Sequence, residues 1–257
     1  MDISTLDILF ACSAALLAGF VDAIVGGGGL VQVPALFIIF PGFKVPQIIG
    51  TNRFASFMGT SVAAYQYAQK VEIPWKVILA TGVGAGFASY GGALLSSQIS
   101  EAILKPIVLV LMAGIAIYTF IKKDLGLEES FKVPITQISI YGFIIGCCTG
   151  FYNGFVGPGT GSLLVFGFVS IVGFGFLKGS AIAKFVNVIA DVSSLIFFIS
   201  GGFVVFKVAF PMMFCNMIGS YAGSKLAILK GNGFVRQFFL VVIAALILRF
   251  AYDVFIK

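Results

Sequence analysis

The sequence predicts an all-helical protein that crosses a membrane several times, and three observations lead to this prediction. Hydrophobic residues make up 60% of the 257 residues, only 10% are charged, and the mean hydropathy is +1.10. Soluble globular proteins do not reach such values. The apolar residues also form long unbroken runs, whereas the strands of a membrane barrel alternate polar and apolar residues over about 10 positions.

Ten apolar segments are expected to form the membrane-embedded helices. A helical span needs roughly 20 apolar residues, and the second and seventh segments are shorter than that. These two are expected to cross only part of the hydrocarbon core unless they tilt or lie in a protein-lined cavity. The ten segments lie at about residues 6–25, 29–40, 49–68, 77–96, 106–121, 137–156, 160–176, 180–200, 205–226 and 237–256.

The second half of the chain repeats the first. Several residues have an identical residue 131 positions later, as Gly19 has in Gly150, and no gap is needed between Gly19 and Leu95. A duplicated five-segment unit is therefore predicted. The identical pairs include Gly19 and Gly150, Gly26 and Gly157, Gly28 and Gly159, Phe54 and Phe185, Lys76 and Lys207, Tyr90 and Tyr221, and Gly92 and Gly223. The predicted parts are a first repeat (1–121), a cytoplasmic linker (122–136) and a second repeat (137–257).

The basic residues of the loops favour one orientation. If all ten segments cross, one side's loops carry nine Lys or Arg residues and the other side's carry four. By the positive-inside rule, both termini then face outward from an inner (plasma) membrane. Five crossings per repeat make the repeats inverted, as in many secondary transporters. If the two short segments instead enter and leave on one side, the charge bias almost vanishes.

The same composition excludes several kinds of site. The net charge of +6 comes mostly from Lys and Arg in short loops, so no nucleic-acid partner is needed to explain it. The chain has no histidine, and its cysteines lie in or beside apolar runs without CxxC spacing. Disulfides, zinc sites and haem ligation by histidine are therefore not expected, and no cofactor is predicted. The cysteines are Cys12, Cys147, Cys148 and Cys215.

Glycine runs precede both short segments. The first N–H groups of a helix that restarts inside a membrane have no intrahelical partner and point, with the positive end of the helix dipole, into the gap. Such a start is a candidate anion site. Close helix packing is the alternative, but the density of the runs and their recurrence in both halves favour the anion site. The candidates are Gly26, Gly27, Gly28 and Gly29, and Gly157, Pro158, Gly159, Thr160 and Gly161.

Two cations, Arg53 and Lys184, stand inside apolar segments at equivalent repeat positions. Burying a cation in a bilayer costs at least about 2.5 kcal/mol, so a compensating anion or water is expected. A substrate anion would serve, and both cations are expected to face a central cavity; the alternative is that Lys184 snorkels from the start of its segment. Polar neighbours expected to add hydrogen bonds to a substrate are Thr51, Asn52, Ser56 and Asn187.

The acidic residues furthest inside the segments are Asp22 and Asp191. Either is a candidate counter-ion for Arg53 or Lys184, and such pairing is the preferred interpretation. The alternative is that one of them takes up a proton and couples proton movement to transport. Asn153, a further candidate binding residue, holds the repeat position of Asp22, so a proton role at that position would belong to one half only.

Three separated stretches carry a family resemblance: LAGFVDAIVGGGGLVQVPAL (17–36), GTNRFASFMGTSVA (50–63) and FYNGFVGPGTGSLL (151–164). Together they resemble the TauE/SafE sulfite-exporter family of membrane permeases, over nearly the whole chain. The resemblance implies transport or export of sulfur-containing anions such as sulfite, sulfonates and sulfoacetate, driven by an ion gradient. It also implies an aspartate in the second glycine motif, where this chain has Asn153.

Three classes of function are compared: secondary anion transporter, anion channel or permease, and membrane-embedded enzyme. The chain has no Walker motif, no HExxH and no histidine, so no enzymatic activity is expected. Inverted repeats meeting at paired glycine breaks suit alternating access better than a continuous pore. The expected partners are the lipid bilayer, a small sulfur-containing anion bound near the midplane, H+ or Na+ as coupling ion, and a second copy in a homodimer.

Overall fold

The computed structural model describes residues 3–96, 125–155 and 157–255. These residues form helices joined by short loops and contain no strand, which confirms the all-helical prediction. The fifth predicted segment, at about residues 106–121, lies outside the described residues. The helices are α1 (Thr5–Val25), α2 (Gly28–Ile39), α3 (Val45–Lys70), α4 (Trp75–Ser96), α5 (Ile138–Phe155), α6 (Thr160–Gly167), α7 (Phe176–Ser200) and α8 (Phe206–Phe255).

Five stretches of these helices are long and apolar enough to cross a membrane. They are Thr5–Val25, Trp75–Leu95, Ile135–Phe155, Phe176–Ser200 and Phe206–Ala245. α3 has 26 residues and is also long enough, but it carries polar residues such as Asn52 and Arg53. α2 has 12 residues and, at about 1.5 Å per residue, extends only about 18 Å of a core about 30 Å thick. α6 is shorter still and is prolonged by a π-helical turn, Phe168–Val172.

The first glycine run ends one helix and starts the next. α1 begins with a capping box, in which the Ser4 hydroxyl accepts from the Asp7 N–H at 3.1 Å and the Asp7 carboxylate accepts from the Ser4 N–H at 3.0 Å. α1 ends at Gly26, whose left-handed backbone (φ 79°) turns the chain, and α2 starts two residues later. The break predicted at this glycine run is therefore a helix–turn–helix corner.

The ninth and tenth predicted segments are two helical parts that meet directly at Gly231, with a shorter connection than predicted. The sequence predicted a connection at about residues 227–236, whereas α8 continues through it and is broken only at Gly231 (φ 71°, ψ −164°). The residues before the break, from Ala227 to Lys230, are mostly good helix formers, so the helix persists to the glycine. The correction concerns the length of this connection, and two helical parts still meet there.

Helix starts follow the sequence repeat. α3 begins at Val45 and α7 at Phe176, α4 begins at Trp75 and α8 at Phe206, and each pair is separated by the repeat length of 131 residues. The duplication seen in the sequence is therefore also a duplication of helix order. The inverted arrangement of the two repeats across the membrane stays a prediction.

The first helix of each repeat packs against the fourth helix of the other. α1 packs along the first part of α8, and α5 packs along α4. At both contacts a glycine allows close approach: a Cβ on Gly223 would collide with the Phe20 carbonyl, and one on Gly92 with the Phe151 carbonyl. Phe20 and Phe151 are themselves 131 positions apart. This reciprocal packing leaves α3 and α7, which contact each other, beside the two short helices.

Candidate anion-binding site

A cavity opens where the first glycine loop (residues 26–29) and the second glycine loop (residues 157–161) meet α3 and α7. It contains about 550 Å³ of empty space, counted out to its opening. The predicted site residues that line it are Asp22, Gly26, Gly28, Gly29, Asn52, Arg53, Ser56, Asn153, Gly157, Pro158, Gly159, Thr160, Gly161, Asn187 and Asp191. The structure thus brings most of the predicted set together, and their role in binding remains a prediction.

Three predicted residues, Gly27, Thr51 and Lys184, are not part of the cavity wall. The Thr51 hydroxyl instead accepts a hydrogen bond from the Val205 N–H at 3.0 Å. Gly27 packs against apolar side chains, since a Cβ there would lie 3.1 Å from a Val242 methyl group. Lys184 is wholly buried beside the cavity rather than facing it, and it does not snorkel to a surface.

The two glycine loops touch each other backbone to backbone. A Cβ on Gly26 would collide with Gly161, and the Ser162 N–H donates to the Gly26 carbonyl at 3.2 Å. The Ser162 hydroxyl donates to the Val25 carbonyl at 3.0 Å. Only residues without side chains allow this approach, which explains why glycine is dense in both loops. The loops of the two repeats therefore meet at one place, as the repeat symmetry predicted.

Both short helices start without a side-chain cap. α2 begins after Gly27, and α6 begins after Gly159, whose left-handed backbone (φ 89°) favours glycine. Some first-turn donors are already used, because the Gly28 N–H donates to Asp22 Oδ1 at 3.4 Å and the Ser162 N–H to Gly26. The helix dipoles still direct positive potential into the cavity.

Arg53 lies in the cavity wall on α3 and is 3% exposed. Its NH1 donates to Asp191 Oδ1 at 2.9 Å, and its NH2 donates to the Asn153 carbonyl. The guanidinium also lies over the Phe198 ring, 5.8 Å from its centroid. Its Nε is buried without a hydrogen-bond partner. Arg53 is therefore anchored by an ion pair but keeps one donor unused.

Lys184 makes the corresponding contacts on α7. Its Nζ donates to the Asp22 carbonyl and to Asp22 Oδ2, the latter at 3.0 Å. The Thr60 hydroxyl donates to the same carboxylate oxygen at 3.3 Å. Each cation thus reaches the backbone carbonyl at one repeat position, Asp22 in the first half and Asn153 in the second. Asp22 and Asp191 both act as counter-ions in this geometry.

The two halves each carry one carboxylate in the site, but at repeat positions that are not equivalent. Asp22 accepts from Thr60, and Asp191 accepts from the Asn153 side chain at 3.1 Å. Thr60 and Asp191 are repeat equivalents, as are Asp22 and Asn153. The asparagine that departs from the family pattern is therefore matched by an aspartate on the opposing helix, so each half keeps one carboxylate.

Sequence reasoning missed several polar residues of the cavity. Gln32 and Asn216 line it and bond to each other, Asn216 Nδ2 donating to Gln32 Oε1 at 3.1 Å. A single polar residue inside an otherwise apolar segment was the available signal. Buried atoms left without a partner here are Gln32 Nε2, Asn52 Oδ1, Arg53 Nε and Asn187 Oδ1. Lining residues outside the predicted binding set are Gln32, Val33, Ile49, Thr60 and Asn216.

The cavity offers N–H donors from a paired arginine, from side-chain amides and from two helix starts, and such groups can bind the oxygen atoms of an anion. Its wall also carries acceptors, namely the carboxylates of Asp22 and Asp191 and the unpaired Oδ1 atoms of Asn52 and Asn187. Across the described residues, His, Cys, Asp and Glu form no group of three or more that would hold a metal ion.

Comparisons with known proteins identify the family of the chain. The family described as Sulfite exporter TauE/SafE matches residues 11–250. "Probable membrane transporter protein ORF9" of Sinorhizobium is 33% identical over 244 residues, which cover 95% of this chain and 92% of that protein. "Probable membrane transporter protein YfcA" of Escherichia coli K12 is 32% identical over 247 residues, covering 93% and 87%. No solved structure matches at a significant level. The chain therefore belongs to the TauE/SafE family of membrane transporters.

Proposed function

We propose that this protein is a secondary transporter that exports small sulfur oxyanions, such as sulfite or organosulfonates, across the inner membrane. The observation that carries the proposal is Arg53, a buried guanidinium in a cavity bounded by both glycine loops, with its Nε unpaired. A buried donor left unpaired costs about 1–3 kcal/mol, which a ligand oxygen would recover. Family membership supports a transported substrate, and the family description names sulfite.

Oxygen-rich anions match the donors of the cavity. Gln32 Nε2 and Arg53 Nε are buried donors without a partner, and they come from α2 and α3. The starts of α2 and α6 add positive potential from both repeats. A tetrahedral or pyramidal oxyanion has several acceptor oxygens, so it can accept from both halves at once. The proposed binding position is between the loops, near the middle of the membrane.

A channel or permease for another small carboxylate or oxyanion is the second candidate. A channel needs a continuous polar path through the protein. The backbone contact between Gly26 and Gly161 closes the space between the two loops at this point. Transport through such a site requires the two repeats to move relative to each other, which favours alternating access over a pore.

The experiment that tests the proposal is flux in proteoliposomes containing the purified protein. We expect saturable movement of labelled sulfite that methanesulfonate inhibits, with sulfate, thiosulfate and acetate as further competitors. Lys178→Arg is the matched control for variants of Arg53, because Lys178 is partly exposed and pairs with Glu129 away from the cavity. A current that rises linearly with concentration would favour the channel, and absence of any oxyanion flux would overturn the proposal.

A further inference from the structure

The two ion pairs of the site differ in how completely they are satisfied. In the first, Asp22 Oδ2 accepts from Lys184 and Thr60, and Asp22 Oδ1 accepts from the Gly28 N–H. Lys184 is 0% exposed and lies outside the cavity wall. Both carboxylate oxygens and the ammonium are thus engaged with protein groups. Nothing in this pair is left to meet a substrate.

The second pair, Arg53 with Asp191, lies in the cavity wall and is incompletely satisfied. Asp191 Oδ1 accepts from both Arg53 NH1 and Asn153 Nδ2, at 2.9 and 3.1 Å. The hydrogen bonds that Asp191 receives from the described part of the chain go to Oδ1, and Arg53 Nε has no partner. This pair therefore has an unused donor on its cation and a carboxylate oxygen, Oδ2, outside these hydrogen bonds.

The charge of the site also limits what it can bind. Arg53 and Lys184 are neutralised by Asp191 and Asp22, so the empty site is electrically neutral. An arriving monoanion would leave one uncompensated negative charge inside the membrane, which costs at least about 2.5 kcal/mol. One proton taken up at the same time removes that cost.

We propose that Asp191 takes up one proton whenever an oxyanion binds to Arg53, so that anion and proton cross together and export is driven by the outward concentration gradient of the anion. This inference rests on the proposed function and names its coupling ion. Before binding, Arg53 pairs with the Asp191 carboxylate. Afterwards Arg53 pairs with the anion, and Asp191 is a neutral carboxylic acid whose proton has come from water. The net charge of the site is the same in both states.

The surroundings of Asp191 single it out as the proton acceptor. The charged groups that face it are Arg53 from α3 and Asp22 from α1, and Lys184 stands about two turns away on α7. Among the described residues, α4, α5, α6 and α8 place no charged side chain in the cavity wall. The polar side chains that these helices place there are Asn153, Thr160 and Asn216. Once Arg53 turns to a substrate, Asp191 has no other cation free to compensate it.

The first test measures proton uptake on binding. Purified protein in detergent and weak buffer is titrated with methanesulfonate, which carries one permanent negative charge, while a pH indicator follows proton uptake. We expect about one proton taken up per anion bound. Binding without proton uptake overturns the coupling but leaves the proposed function standing. Absence of binding of methanesulfonate and sulfite alike overturns the proposed function, and the coupling with it.

The second test uses the two aspartates as a matched pair. Asp191→Asn imitates the protonated carboxyl group, so we expect it to bind methanesulfonate without proton uptake. In liposomes it should exchange labelled for unlabelled sulfonate but no longer accumulate it against a gradient when a pH gradient is applied. The double variant Asp22→Asn with Lys184→Met removes the other ion pair without changing the net charge of the site, so it should keep proton uptake. Loss of uptake in this double variant with retention in Asp191→Asn overturns the assignment.

Discussion

Arg53 and Lys184 occupy one repeat position, but they use it differently because their side chains differ. A lysine ammonium has three donors on a compact charge, and Lys184 directs it to two oxygens of Asp22. Arginine has five donors in a planar fork, so Arg53 can hold Asp191 and Asn153 and still keep Nε unpaired. The choice of cation thus distinguishes a fully satisfied ion pair from one with an unused donor.

Replacing Arg53 by lysine tests this difference. Arg53→Lys keeps the positive charge beside Asp191, so the protein should fold. It removes the unpaired Nε donor and the hydrogen bond to the Asn153 carbonyl. We expect the Kd for sulfite or methanesulfonate to rise about tenfold, or about 1.4 kcal/mol, in calorimetric titration. An unchanged Kd would contradict a role for the guanidinium in binding. Lys178→Arg should bind as the wild type does.

Removing Lys184 should affect stability more than binding. Lys184→Met leaves the Asp22 carboxylate without its cation among buried groups, at an expected cost of about 3 kcal/mol. Thermal unfolding in detergent should show a clearly lower Tm. The double variant Lys184→Met with Asp22→Asn removes both charges and should recover most of that loss. A single variant as stable as the wild type would show that the pair contributes nothing.

At the scale of elements, the sequence predicted the glycine loops and most of the residues that line the cavity. It did not predict which of the charged side chains are fully paired. Glycine runs and the repeat are local signals, so the helix breaks at Gly26 and Gly159 could be predicted. Lys184 looked equivalent to Arg53 in sequence, and its partner Asp22 comes from α1, which is distant along the chain. Gln32 and Asn216 were missed because their only signal was a single polar residue in an apolar segment, without a repeated motif.

Gly29 offers a test of the loop contact with little strain. Gly29 lies on the side of the first glycine loop that faces the second glycine loop, since a Cβ on Gly29 would lie 3.2 Å from Pro158 Cα. Gly29→Ala should therefore push the loops apart by a few tenths of an ångström without unfolding α2, because alanine favours helix. We expect the KM for sulfite to rise about fivefold, or about 1 kcal/mol, with Tm nearly unchanged.

Gly91→Ala on α4 is the matched control for this variant. A Cβ at Gly91 meets nothing within 4 Å, and the residue lies outside the cavity wall. Transport by Gly91→Ala should equal that of the wild type. Equal effects of the two alanines on the KM would mean that Gly29 has no special position between the loops.

At the scale of the whole molecule, the two repeats are interlocked rather than side by side. The first helix of each packs on the fourth of the other, and each central cation binds the opposite repeat. Movement of one repeat against the other must therefore change the cavity and both ion pairs together. The five long apolar helices place this assembly in a membrane, whereas its orientation there is still a prediction from loop charges.

The matched lysines Lys76 and Lys207 test whether the repeats are inverted. Both are exposed, and each lies in the first turn of the fourth helix of its repeat. In an inverted arrangement these turns lie on opposite faces of the membrane, with Lys76 inside by the positive-inside rule. Starting from a variant whose four cysteines are alanine, we would introduce Lys76→Cys or Lys207→Cys and label intact cells with a membrane-impermeant maleimide. We expect Lys207→Cys to react in intact cells and Lys76→Cys only after the membrane is opened. Labelling of both from the same side would mean that the repeats are related by rotation about the membrane normal.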